Sequence, residues 1–156
     1  MKDEITTCQR CGNCCMRGGP ALHEPDVEFV RDGVLPLSGL YTIRPGERAY
    51  DNVGGGLFLV TRDIVKIKSK TGSAECLFYD PEASACRIYE SRPLECRLQA
   101  CWDTSALEGA YADMRLSRRA ILENAQWICE MIDAHDEQCH FEKIRQLVAE
   151  RDEGDR

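Results

Sequence analysis

No stretch of the chain approaches the roughly 20 consecutive apolar residues that a membrane-spanning helix requires, and the longest apolar clusters, such as Leu57-Phe58-Leu59-Val60, are strand-sized. Contact with a membrane is therefore not expected. The N-terminus, Met1 to Thr7, lacks the apolar core of a secretory signal, so the expected location is the cytoplasm, where thiols stay reduced. Positive charge is also scarce: 20 Lys and Arg face 27 Asp and Glu, a net charge of −7 with a pI near 5.0. That balance argues against a general electrostatic attraction to nucleic acid. Much of the excess sits in the tail, where nine acidic residues between Glu130 and Arg156 meet Lys143, Arg145, Arg151 and Arg156. Catalytic signatures are missing too. There is no nucleophile with a base partner and no carboxylate pair beside a phosphate loop. Gly54-Gly55-Gly56 precedes an apparent strand, the reverse of the strand, glycine loop, helix order that cradles phosphates. No internal repeat emerges.

Cysteine is what the chain has in excess, ten among 156 residues, a share below that of short disulfide scaffolds. Four crowd into the run Cys8-Gln9-Arg10-Cys11-Gly12-Asn13-Cys14-Cys15, and four more follow at Cys76, Cys86, Cys96 and Cys101. Two successive C-x-x-C spacings let one tight turn aim three sulfurs at a point, as a metal or cluster needs. Gly12 can take the positive backbone dihedral that turns amide hydrogens back toward sulfur. Arg10, Arg17, Arg87 and Arg97 each lie within two residues of a cysteine, placed to offset the charge of a multi-thiolate site. Adjacent Cys14 and Cys15 strain to reach one ion together, so one is expected to join Cys8 and Cys11 while the other faces a second site or bridges.

Eight thiolates fill two four-thiolate sites, for 4Fe-4S clusters or for zinc, or one larger polynuclear site. The opening run resembles the three-cysteine stretch of bacterial ferredoxins without its following cysteine and proline, whereas zinc sites usually show separated C-x-x-C pairs. The density of the run and the number of thiolates favour iron. Cys129 and Cys139 stand apart with His135 and His140. His135 precedes Cys139 by four residues, a spacing that shares a helix face, and the choice there is between a further metal site and buried small hydrophobes. His23 is expected on a surface loop.

The remaining pattern is that of an α+β fold. Pro25 to Asp32 reads as a short helix with Gly33 as its stop. Tyr41–Arg44, Leu57–Thr61 and Ile64–Lys68 read as strands, the last with Val65 and Ile67 on one face. Cys76 to Tyr79 and Cys86 to Tyr89 read as hairpin arms around Asp80 to Ser84. Pro93 opens a helical turn expected to carry Cys96 and Cys101. Ser117 caps a helix expected to run to about Ile132, followed by another over Glu137 to Glu150. The expected architecture is a metal-pinned, loop-rich head with short antiparallel strands, residues 1–105, and a helical C-terminal extension, residues 106–156, packed on it as a helical hairpin.

Cys8-x-x-Cys11-Gly12-x-Cys14-Cys15, Cys76-x-Phe78-Tyr79-Asp80 and Cys86-x-Ile88-Tyr89-x-x-Arg92-Pro93-x-x-Cys96-Arg97 together resemble the CxxCxxCC cysteine-cluster family of zinc- or iron-chelating proteins. The resemblance spans Cys8 to Cys101 and implies that the family's eight cysteines fall on Cys8, Cys11, Cys14, Cys15, Cys76, Cys86, Cys96 and Cys101. Members are often labelled iron-sulfur oxidoreductases, so what it implies is metal chelation with the reaction undefined. Asp80 and Arg92 belong to the pattern as well, with plainer roles as a turn-forming aspartate and an arginine binding carbonyls. The functional expectation is a protein binding iron-sulfur clusters, 4Fe-4S favoured, for electron transfer or iron handling with a protein redox partner. The alternative is a zinc-stabilised interaction module without redox activity.

Overall fold

The computed structural model describes residues 6–154. Met1 to Ile5, read above as lacking a secretory signal, and Asp155 and Arg156 of the acidic tail lie outside the described residues. The architecture is α+β, as expected, with three small antiparallel sheets among short helices. Strand β1 (Leu40–Ile43) pairs with a later strand, β4 (Ile64–Ile67), in the register Leu40 to Ile67 and Ile43 to Ile64. Between them, β2 (Arg48–Tyr50) and β3 (Leu57–Leu59) form a second ribbon. The third is β5 (Tyr79–Asp80) with β6 (Ala85–Cys86). Alternation sets the faces: Val65 and Ile67 are 1% exposed while Lys66 between them is half-buried.

The core is assembled from segments distant in sequence, with Leu22, Leu35, Leu40, Val65, Ile67, Cys76, Tyr79 and Leu116 in one buried cluster. The extended stretch Ala21–His23 ties it together. Leu22 N–H donates to Val65 O at 2.8 Å, and Leu116 N–H donates to Leu22 O at 3.0 Å. Leu116, beyond residue 105, thus belongs to the same core as β4.

Helix α1 (Val27–Arg31) follows a 3-10 turn containing Pro25, and Gly33 at φ +76° ends it. Helices α2 (Leu94–Leu98) and α3 (Ser105–Ala110) follow the cysteine hairpin. The helix expected from Ser117 is split into α4 (Arg118–Ile121), which Ser117 caps by accepting from Ala120 N–H at 3.2 Å, and α5 (Gln126–Gln138). The break at Leu122 is satisfied locally: its freed carbonyl accepts Ala125 N–H at 2.8 Å and the buried Cys129 thiol at 3.7 Å. Helix α6 (Phe141–Gly154) is the last element of the described residues, and the expected helical hairpin takes the form of a bent helix turning at Cys139 and His140. Ion pairs dock it. Arg118 grips Asp63 through Nε and Nη2, each at 2.9 Å, and reaches Asp136 of α5 at 2.8 Å; Arg44 meets Asp136 from the other side at 3.0 Å. Arg145 Nη1 donates to Gly46 O at 3.0 Å, and Phe141 lies under the Arg44 guanidinium at 4.7 Å. No helix among the described residues is long and apolar enough to cross a membrane.

Candidate metal centre

The opening cysteine run turns where the sequence allows it. Arg10 (φ +53°) and Gly12 (φ +76°) occupy left-handed backbone on either side of Cys11. Met16 N–H then returns to Gly12 O at 3.0 Å, closing one turn that leads into the 3-10 segment Cys15–Arg17. Cys76 N–H donates to Cys15 O at 2.7 Å, and Gly12 is buried under the Tyr79 ring. These two contacts join the first cysteine block to the second.

The second block is a short hairpin and a capped helix. Asp80 Oδ1 accepts Glu82 and Ala83 N–H at 3.0 and 3.2 Å, the turn-forming role expected of it. Cys86 lies on β6 opposite Tyr79, while Cys76, buried, precedes β5 rather than opening it. Cys96 lies on α2. Cys101 falls past the helix end, because the chain turns out of helical backbone at Gln99 (ψ 97°) and bridges Ala100 to Asp103.

Six of the eight thiols, those of Cys14, Cys15, Cys76, Cys86, Cys96 and Cys101, line one open cavity of about 640 Å³. Cys8 and Cys11 are exposed and do not line it. Cys14 and Cys15 both line this cavity. Among the described residues, no group of three or more His, Cys, Asp or Glu side chains is already drawn into metal-holding geometry. All ten cysteines are free thiols. Burial, then the neighbouring Cys14 thiol, push Cys15 up to about 12. Burial likewise pushes Cys96 and Cys76 up, reinforced by nearby thiols. Such a cluster keeps its protons until a cation competes for the sulfurs, and unpaired sulfur donors in this number suit zinc or iron.

A buried polar network holds the wall in place. Asp26, fully buried, accepts Leu94 N–H at 2.8 Å and His23 N–H at 3.0 Å, so it satisfies the first turn of the helix that carries Cys96. Burial raises the Asp26 carboxyl while these two amides and Arg97 act against it. Glu95, next to Cys96, accepts Ala21 N–H at 2.8 Å and Arg115 Nη1 at 3.0 Å, and meets His23 Nε2 at 3.2 Å. Burial opposes its ionisation, but His23, Arg115 and the Ala21 amide outweigh it and hold the carboxyl below its ordinary value. His23 is accordingly 0% exposed, with Nδ1 2.6 Å from Asp113 O, and not on a surface loop. Neither Asp26 nor Glu95 stands out in the sequence, since the partners lie up to 74 residues away. Arg92 differs from its expected carbonyl-binding role: among the described residues it makes no hydrogen bond or ion pair, its Nε is buried without a partner, and it lies over the Tyr89 ring at 3.6 Å.

In the second cysteine and histidine group, three of the four side chains have a hydrogen-bond partner among the described residues. Cys129 is buried against Leu122 O, His135 Nδ1 meets Arg44 at 3.1 Å, and His140 Nδ1 accepts Lys143 N–H at 3.1 Å at the start of α6.

A small α+β domain in which two distant cysteine blocks open onto one cavity has the donor chemistry of a metal-chelating protein. Residues 7–114 match the model of the CxxCxxCC family, whose description reads "Putative zinc- or iron-chelating domain", and the chain belongs to that family. Searches of curated proteins and of solved structures returned no match.

Proposed function

We propose that the protein holds iron as an iron-sulfur centre, 4Fe-4S in type, for electron transfer or iron handling. The observation that carries this reading is the six-thiol cavity of about 640 Å³. Six thiols exceed the four that a mononuclear zinc site uses, and that surplus favours a polynuclear group. Cys14, Cys15, Cys76, Cys86, Cys96 and Cys101 would be the ligands from the cavity wall, drawn in by the metal, with Cys8 and Cys11 completing the set. When bound, such a centre supplies one-electron chemistry. The chain's own part is to gather thiolates and to anchor Cys96 through Asp26 and Glu95. On this reading residues 1–105 bear the metal, residues 106–156 form the helical extension packed on it, and the protein works in the reducing cytoplasm with a protein redox partner.

Anaerobic purification followed by metal analysis, visible absorbance and EPR tests the proposal. The expected preparation is brown, contains iron and acid-labile sulfide, and bleaches with dithionite. A colourless anaerobic preparation with stoichiometric zinc overturns it in favour of the zinc-stabilised module, whose head unfolds on chelation without a redox signal.

A further inference from the structure

About half of the arginines among the described residues face a carboxylate: Arg31, Arg44, Arg97, Arg115, Arg118, Arg119 and Arg145 do. Others, Arg17 and Arg48 among them, face none among the described residues, and two of these others meet on a single ring. The guanidinium of Arg10 lies 4.0 Å from the Tyr89 centroid and that of Arg92 lies 3.6 Å from it. Neither forms an ion pair among the described residues, and Arg92 Nε is buried with no acceptor. Stacking on tyrosine stabilises a guanidinium, but two like charges on one ring repel each other, and a buried N–H without a partner is costly.

The positions of the two residues suggest what offsets these costs. Arg10 sits between Cys8 and Cys11 in the sequence, and Arg92 lines the cavity with the six thiols, four residues before Cys96. The cavity wall carries Glu95 and Glu108 as well, but Glu95 is engaged by Ala21, His23 and Arg115, and among the described residues neither glutamate forms an ion pair with Arg10 or Arg92. The missing anion is then the thiolate-ligated centre itself, because four thiolates exceed the charge of a divalent ion or of an oxidised 4Fe-4S core.

We propose that Arg10 and Arg92, stacked on Tyr89, are the counter-charges of the metal centre, positioning residues that set its retention and its reduction potential. This rests on the metal-binding reading above. Arg92, the less exposed of the two, has the larger effect, and Arg10 acts through solvent and is weaker.

The test uses the full chain, loaded with iron and sulfide anaerobically, as wild type, Arg92→Gln, Arg92→Lys and Arg10→Gln. Reduction is followed by visible absorbance and EPR at controlled potential, and retention by competition with a chelator. In Arg92→Gln the ratio of reduced to oxidised centre at a fixed potential falls about tenfold, a shift of about 59 mV for one electron, and the chelator strips metal more readily. Arg92→Lys, which keeps the charge, stays near wild type; Arg10→Gln shifts in the same direction by less. Should the preparation hold zinc, zinc retention is the readout, with the same order of variants. Should Arg92→Gln fail to fold, the exposed Arg10→Gln variant carries the test. The proposal is overturned if the metal-loaded variants match wild type in potential and retention, or if Arg92→Lys is as impaired as Arg92→Gln. A wild type that takes up neither metal overturns the metal reading as well.

Discussion

A Cβ placed on Gly12 would stand 2.4 Å from Tyr79 Oη and 2.6 Å from its Cζ, so the tyrosine ring fills the space that a side chain at position 12 would need. The backbone there is left-handed, at φ +76°. Gly12→Ala therefore meets both a conformational penalty of about 1 kcal/mol and a clash with a buried core side chain. It is expected to lower Tm by at least roughly 2–4 °C and to reduce metal uptake, because the displaced ring and the cysteine turn share one contact. Thermal unfolding followed by circular dichroism checks the first effect and metal analysis the second; a variant with unchanged Tm refutes the packing argument.

Asp26→Ala should cost more. It strands the buried amide of His23 and the part-buried amide of Leu94, and removes the cap from the helix bearing Cys96. One buried and one part-buried donor left unsatisfied, with a helix start lost, amount to about 3 kcal/mol. Denaturant unfolding at neutral pH reads this directly. The companion Asp32→Ala, at the exposed end of α1, is expected to change stability by no more than about 0.5 kcal/mol.

Much of this arrangement was legible in the chain, and most of the parts that were not share a physical cause. Local signals carried through: Gly33 ends α1, Ser117 caps α4, Asp80 makes its turn, and the alternation of Ile64 to Lys68 buries Val65 and Ile67. The two cysteine blocks and their spacing also led to the family. What local pattern could not reveal was pairing across distance. His23 looks like a loop residue until Glu95 and Asp113 are brought to it, and the strand β2 and helix α3 lack periodicity strong enough to announce them. The break between α4 and α5 falls at Leu122, whose carbonyl takes the Ala125 amide and the Cys129 thiol, a local turn that the helical spacing of Ile121, Ala125, Ile128 and Ile132 masks.

Exposure divides the eight motif cysteines in a way that alkylation can read. Cys8 and Cys11 lie open to solvent outside the cavity, whereas Cys76 is buried and Cys96 is partly covered. In metal-free protein, a thiol reagent is expected to label Cys8 and Cys11 quickly and Cys76 slowly. The run between Cys8 and Cys14 is short and turns at Arg10 and Gly12, so it can fold onto the cavity when a metal arrives. Loading should then protect Cys8 and Cys11 along with the other six, as mass spectrometry of the labelled sites would record. Persistent labelling of both in fully loaded protein would assign the centre to the six cavity thiols alone.

The C-terminal helix has its own pH signature, set by Asp136. Desolvation works against its ionisation, but hydrogen bonds and charge from Arg118, with help from Arg44, hold the carboxyl below its ordinary value. A carboxylate depressed in the folded state adds stability at pH above its unfolded value of about 3.9, and that contribution disappears as pH falls through the lower folded value. Asp136→Asn should therefore unfold at a lower temperature than wild type at pH 7. The gap should hold down to about pH 5 and close as pH falls through the unfolded and then the lower folded value. Comparing variant with wild type at each pH cancels the titration of groups they share. Because Arg118 keeps its grip on Asp63 in the variant, the head stays folded and the loss falls on the docking of α5. A gap independent of pH would mean that Asp136 contributes through packing and not through its charge.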